Sequence, residues 1–519
     1  MKQKPSLAIS WWIAVVIIFC IALYVQANIF LSWDVGWHLL DTQRLLHGGN
    51  YFKDFFDINP PMIFYLLIPP VFFHQLTGWD SVVIFRVYIF LIAVLSLITS
   101  YAFSRRIFSH DESFIHGTFV LSLAVIYVIF PAYEFGQRDP FILLLIIPYF
   151  LSVAARATEQ QSGACLATWV GILAGLGFSF NLQFLIIFIA LEIFLIIKRG
   201  SLRIFIRPES LAIVCIVILY ILSIITLSPR YMTQELPLVF FLYLDTFNFS
   251  WHALLTNVTL LCWVAATVFL VIFWKKYPQH ALLTVLYIAA SGFFIIFIAT
   301  RKVWFYHMIP CLAMSSLLLA IFLADSIATL MLTTGTKSFF WATISETIVL
   351  YAILIGLPIV TVVQISYASI KTKSNPNTAI NQLIDFVKLH TKRHHAIFVF
   401  STTVTPGGIF IHYADVNLGS RFAGFWMLPG ILQREQETLT PPLQVMLKKS
   451  QRFLHAAVVV DFKRYRPKLV FVDVAKRKDY FPAVDFNYIA YFSQDAQFKA
   501  IWRHYKYVTT IANFAIYSR

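Results

Sequence analysis

Apolar runs of about 17 residues or more recur along this chain from end to end, and no other feature constrains its fold as strongly. A helix needs about 20 apolar residues to cross about 30 Å of hydrocarbon, and only segments that satisfy their own backbone hydrogen bonds are stable there. Eleven runs are read as spans: 10–31, 81–103, 114–131, 139–155, 165–180, 182–197, 210–228, 256–274, 281–300, 304–325 and 342–367. Charged residues make up 13% of the chain, against roughly 25% in soluble domains. The expected fold class is therefore a polytopic α-helical membrane protein, followed by a smaller α/β domain.

The first run follows Lys2 and Lys4, is longer than a signal-peptide core and lacks a small-residue cleavage site, so it reads as an uncleaved span. With the N-terminus inside, Arg105, Arg106, Arg156, Lys198, Arg199, Arg203, Arg207, Lys275, Lys276 and Lys337 fall in inner loops. Only Arg44, Lys53, Arg138, Arg230, Arg301 and Lys302 then fall in outer loops, as the positive-inside rule requires. Eleven crossings leave residues from about 371 onward outside. That tail holds 21 basic and 9 acidic residues, most of the net charge of +15. Its basic character fits anionic lipid headgroups better than nucleic acid, since the domain is tethered at a membrane. All five cysteines fall in spans, so no disulfide framework is implied.

Two domains are expected: a bundle over 1–370, whose first outer loop (32–80) bears surface helices, and a domain over 371–519. In the tail, 378–392, 442–453 and 488–505 read as helices, and 396–400, 408–413, 456–461, 468–473 and 508–517 as strands. In the first outer loop, 35–47 reads as an amphipathic surface helix capped by Asp34 and ended by Gly48-Gly49. A second apolar stretch, 60–76, is expected to break at Pro69-Pro70.

Candidate chemistry is confined to outer loops. Asp34 follows the first span directly, where a lipid-linked substrate meets water. Asp41, Asp54, Asp57 and Asn59 follow in the same loop, the acids also being readable as solvated turn or helix residues. A second loop carries Glu134 with Arg138 and Asp139 at a span end, and the planar fork of Arg138 suits a phosphate. A third packs Arg301, Lys302, Trp304, Tyr306 and His307 into one tight turn, on the side that cations usually avoid. No charge falls near the middle of a span, which counts against an ion-driven transporter. In the tail, Tyr413, Arg421 and Trp426 are candidates for acceptor contact or for ordinary packing.

In this order the residues resemble a known family, the bacterial integral-membrane glycosyltransferases of the C-type fold. The likeness is to the protein-mannosyltransferase-like and lipopolysaccharide-core galacturonosyltransferase-like group, akin to the aminoarabinose transferases of lipid A. It is carried by Asp34 after the first span, Gly48-Gly49 and Tyr51 with Asp54, Asn59-Pro60-Pro61, Arg86, Phe135-Gly136-Gln137-Arg138-Asp139, and Lys302 with Trp304, Tyr306, His307 and Pro310. The resemblance implies a polyprenyl-phosphate sugar donor and a lipid, lipopolysaccharide or glycan acceptor outside the inner membrane, with inversion at the anomeric carbon. It implies Asp34 as base, with Asp57 as a second catalytic candidate. Arg138, Arg301, Lys302 and His307 would hold the donor phosphate, and Asp54, Asn59, Glu134, Asp139, Trp304 and Tyr306 would contact sugar or acceptor. In some branches the first-loop acid is a metal ligand, so a divalent cation is left open. One departure stands out: Asn181-Leu182-Gln183 occupies the turn where the family carries a lysine. The rival reading is a non-catalytic polyprenyl-lipid binder or flippase of the same fold.

Overall fold

The computed structural model describes residues 7–109, 111–160, 163–273, 280–332, 338–481 and 485–519. Lys2, Lys4, Lys275, Lys276 and Lys337, used above to orient the chain, lie outside the described residues. Each of the eleven apolar runs lies on a helix. Among the described residues six helices are long and apolar enough to cross a membrane by themselves: Ile9–Asn28, Ser81–Ile107, Arg138–Ala157, Pro208–Leu227, Ala281–Thr300 and Phe305–Thr329. Ser113–Val128, Ala164–Phe180 and Val258–Ile272 are shorter and equally apolar. The molecule is a multi-pass helical membrane protein with a small sheet near its C-terminal end.

The chain divides into two compact units. The first comprises 1–29, 86–221 and 249–370; the second comprises 30–85, 222–248 and 371–519. The first outer loop thus groups with the tail, and so does a segment around 231–243 that forms two π-helical turns, Tyr231–Glu235 and Val239–Tyr243.

In the first unit, Arg138–Ala157 is buried along almost its whole length and forms the centre. Ala164–Phe180 packs against it closely because Gly177 has no side chain: a Cβ there would lie 2.6 Å from Ile146 Cγ2. At the loop ends, Arg207 pairs with Glu192 and with Glu209 (3.2 Å), and Arg156 lies 3.0 Å from Glu209. These two arginines, placed in loops by the sequence, neutralise buried acids, because an unpaired buried carboxylate would be costly.

In the second unit a five-stranded sheet runs in the order β2-β1-β3-β5-β4, with β1 (Ala396–Phe400), β2 (Asn417–Leu418), β3 (Leu469–Asp473), β4 (Lys506–Ile511) and β5 (Phe514–Ser518). β1 pairs in parallel with β2 and β3, while β5 is antiparallel to β3 and β4. Two expected strands are helices. Ala456–Asp461 lies inside the helix Pro441–Tyr465, which buries Leu447, Leu454, Ala457, Val458, Asp461 and Phe462 along one stripe. The 3.6-residue period over the whole segment overrides the local β-branched run. Residues 408–413 belong to the helix Gly407–Tyr413, which meets the first-loop helix Trp33–Leu46 at paired glycines. A Cβ on Gly36 would lie 2.4 Å from the Gly408 carbonyl oxygen, and one on Gly408 would lie 2.4 Å from that of Trp33. The 60–76 stretch does not break: Met62–Thr77 is one helix that contains both Pro69 and Pro70.

Candidate functional site

The first unit brings together the second and third candidate loops, around Arg138 and around Lys302. Gln137 caps the helix that begins at Arg138, its side-chain oxygen accepting from the Arg138 amide at 3.0 Å. Asp139, in the first turn, then meets His307 from the far loop, with Nδ1 of the ring 2.6 Å from Oδ2. The Arg138 guanidinium stands 5.8 Å from the centre of the Tyr306 ring, and the Lys302 ammonium 5.5 Å from that of Trp304. Trp304 and Tyr306 are near parallel, at 10°, with centroids 6.2 Å apart. Lys302 is 6% exposed, so its charge is largely withdrawn from water. Charges in such a setting interact more strongly with a bound anion than they would at an open surface. A small cleft of about 10 Å³ beside the pair is lined by Asp139, His307 and Gln183, so the neutral amide that departs from the family pattern sits at this constellation.

Arg301 has a different task. It adopts a left-handed conformation (φ 51°) at the end of Ala281–Thr300. Its guanidinium donates to the Phe249 carbonyl at 2.7 and 3.2 Å and covers the Trp251 ring at 5.0 Å. These contacts hold the turn that presents Lys302. Glu134 lies half-buried in the short 3-10 turn Ala132–Glu134, which precedes Gln137.

The second unit holds the first-loop acids. Ser32 is at the N-cap and Asp34 is the second residue of the helix, so Asp34 does not cap it. Asp34 is half-buried at the helix N-terminus, where the dipole favours negative charge. Asp57 is not solvated: it is 5% exposed, Oδ2 accepts from Trp37 Nε1 at 2.8 Å and Oδ1 from the Asn59 amide at 2.7 Å. Asn59 in turn has Nδ2 3.0 Å from His38 Nε2, and its carbonyl accepts from the Tyr51 hydroxyl. Asp54 accepts from the Asn50 amide (2.9 Å) and from Arg464 (2.7 Å). Burial opposes its charge, but these two donors outweigh burial and hold its pKa below the usual carboxylate range.

Two buried acids complete this group. Asp41, read above as a candidate or a solvated helix residue, is wholly buried and pairs with Arg44 at 3.3 Å. Glu235 was missed by sequence reasoning and is also wholly buried, and among the described residues neither of its oxygens accepts a hydrogen bond of normal geometry. Burial pushes both carboxyls well above their ordinary range; nearby Asp57 adds to this for each, while Arg44 opposes it at Asp41 and the Asp57 amide opposes it at Glu235. Its only sequence signal was one acid at 235 just beyond an apolar run. Among the described residues no group of three or more His, Cys, Asp or Glu side chains could hold a metal ion.

The three tail candidates are packing residues. The Tyr413 hydroxyl accepts from the Leu31 amide at 2.8 Å, Arg421 is in a buried pair with Asp461, and Trp426 stacks on Phe56 at 17° and 5.4 Å.

The fold is that of the C-type membrane glycosyltransferases. Among solved structures the chain is similar to ArnT from Cupriavidus metallidurans bound to undecaprenyl phosphate, at TM-score 0.55 and 11% identity over 98% of each chain. The apo state of the same protein aligns at TM-score 0.53 and 12% identity over 97% of each. The apo oligosaccharyltransferase of Archaeoglobus fulgidus aligns at TM-score 0.49 and 10% identity, over 89% of this chain and 69% of the other. No protein-family model and no curated protein matches the sequence.

Proposed function

We propose that this protein is a glycosyltransferase of the bacterial inner membrane that moves one sugar from a polyprenyl phosphate to an extracytoplasmic lipid, lipopolysaccharide or glycan acceptor. Its N-terminus is cytoplasmic and its tail faces the other side. The observation that carries the reading is the grouping of Arg138, Lys302 and the Asp139–His307 pair from loops far apart in sequence, on a fold shared end to end with a protein solved with undecaprenyl phosphate.

In the reaction, Asp34 takes the proton of the acceptor hydroxyl as its oxygen bonds to the anomeric carbon. The bond from that carbon to the phosphate oxygen breaks, the configuration inverts, and the lipid phosphate leaves with the electron pair. Arg138 and Lys302 stabilise charge growing on the phosphate, and one base suffices because the leaving group is already a stable anion. Arg301 serves by fixing the turn that carries Lys302, and His307 is oriented by Asp139. Asp57 and Asn59 hold the first loop in shape, and Asp54 does so through Arg464. Trp304 and Tyr306 offer flat faces to the sugar, with Glu134 near the loop that leads to Arg138.

The test is sugar transfer from a supplied polyprenyl-phosphate sugar by purified Asp34→Asn protein. The variant is expected to insert and fold normally and to lose transfer at least a hundredfold, in the range typical of a lost general base. Wild-type turnover would remove Asp34 from the role of base. The Asn181-Leu182-Gln183 turn, which lacks the lysine that the resemblance leads one to expect, favours the non-catalytic lipid binder or flippase as the second reading. Lipid capture without transfer to any of a broad set of acceptors would establish that reading instead.

A further inference from the structure

The second unit contains a cavity of about 900 Å³ that the proposed reaction does not use. It lies between the turn that ends the Trp33–Leu46 helix, the C-terminal end of Pro441–Tyr465 and the turn before β1. Six cations line it (Arg44, Lys53, Arg464, Arg466, Lys468 and Arg519) against a single carboxylate, Asp54. Three of the six are engaged. Arg44 pairs with Asp41 and donates to the Leu418 and Ser420 carbonyls, both at 2.9 Å. Arg464 neutralises Asp54, and Lys468 donates to the Arg519 carbonyl at 2.8 Å. Lys53 and Arg466 are exposed and, among the described residues, have no carboxylate within 4 Å. Arg466 projects from the left-handed C-cap of its helix (φ 44°).

With Arg44 compensated by Asp41 and Arg464 by Asp54, four of these side-chain cations face no compensating carboxylate side chain, and their shared concavity focuses the field and concentrates anions. Its shape narrows the choice of ligand. An anionic bilayer is contacted by a flat or convex basic face, whereas a cavity of this volume is the size of small-ligand sites, roughly 300–1,000 Å³. Arginine forks suit phosphate oxygens in particular.

We propose that this cavity binds the phosphate groups of a multiply phosphorylated saccharide. On the transferase reading, that saccharide is part of the acceptor, held at a distance from Asp34 along the same helix, so the cavity selects acceptors by charge.

The test uses the full chain in nanodiscs of phosphatidylcholine, with fructose 1,6-bisphosphate as probe and fructose as the uncharged control. The wild type is expected to bind the bisphosphate and not fructose, more weakly at high salt. Lys53→Glu combined with Arg466→Glu should weaken binding at least about tenfold, and Lys53→Gln with Arg466→Gln should fall between. Both positions are exposed, so the fold should survive, which retained thermal unfolding would verify. Absence of binding by the wild type, or unchanged affinity in the double Glu variant, overturns the proposal. So does displacement of the probe by phosphatidylglycerol vesicles whose own binding depends on Lys53 and Arg466, since the cavity would then serve the bilayer. Binding is read without any sugar transfer, so failure of the transferase reading and failure of this one give different results.

Discussion

Arg421→Met probes a buried pair that also ties the tail to the loop after the first span, through the Phe52 carbonyl. Arg421 is 7% exposed and Asp461 1%. The guanidinium reaches Asp461 Oδ1 at 2.8 and 3.1 Å and the Phe52 carbonyl at 3.0 Å, and the Arg421 amide reaches Oδ2 at 2.9 Å. Methionine keeps much of the apolar stem but removes every side-chain donor, leaving a buried carboxylate with one amide. Breaking a buried pair from one side costs about 3–5 kcal/mol, a large fraction of a typical domain stability of about 5–15 kcal/mol. Burial already raises the pKa of Asp461, with Arg421 the main group opposing it, so the variant should also push that carboxyl further toward its neutral form. Hydrogen exchange is the assay, because it reports each region separately in a protein that does not unfold in one step. Protection of β1, β3 and Pro441–Tyr465 should fall by about 3–5 kcal/mol, and adding Asp461→Leu should restore at least half of it, since no charge is then stranded. A loss under about 1 kcal/mol, or a double variant worse than the single, would refute the reasoning.

Gly408→Ala would place a methyl 2.4 Å from the Trp33 carbonyl oxygen and should cost about 1–3 kcal/mol, whereas Gly407→Ala, with its nearest neighbour at 3.5 Å, should be tolerated; limited proteolysis of the first loop compares them. The raised carboxyls of Asp41 and Glu235 mean that the folded state holds protons the unfolded state has released. Their contribution is therefore complete below about pH 4 and is lost as pH rises through their folded pKa values. Protection of the first-loop amides, measured relative to their intrinsic base-catalysed exchange rates, should fall with rising pH, and Glu235→Gln should flatten that fall; an unchanged dependence in the variant would contradict the burial argument. Asp139→Asn should lower kcat for sugar transfer about tenfold or more by releasing His307, with little change in the KM for acceptor, and steady-state kinetics separate the two. A change confined to acceptor KM would count against the pair's place beside the donor.

The legible part of this molecule was whatever depends on neighbours in sequence. All eleven apolar runs lie on helices, Gly48 ends the first-loop helix with φ 78°, and Ala396–Phe400 is a buried strand flanked on both sides in the sheet. The Arg138-Asp139 loop and the Lys302–His307 turn stood in the sequence only as two separate candidates. The structure adds the particular bond between Asp139 and His307 and the engagement of Arg301 with Phe249. Other features were hidden because they depend on packing between distant segments. Ala456–Val460 looks like a strand until the stripe from Leu447 to Phe462 is taken whole.

By itself the sequence determined the membrane class and the helical spans, because hydrocarbon tests each segment's hydropathy and backbone independently of the rest of the chain. Only the tertiary structure decided which charges remain available. Asp41, Asp57 and Glu235 are buried, Arg421 and Arg464 are paired, and Lys53 and Arg466 are left beside an open cavity. Whether an ionisable group is hydrated, neutralised or buried depends on what packs around it, and those partners come from segments up to 410 residues away.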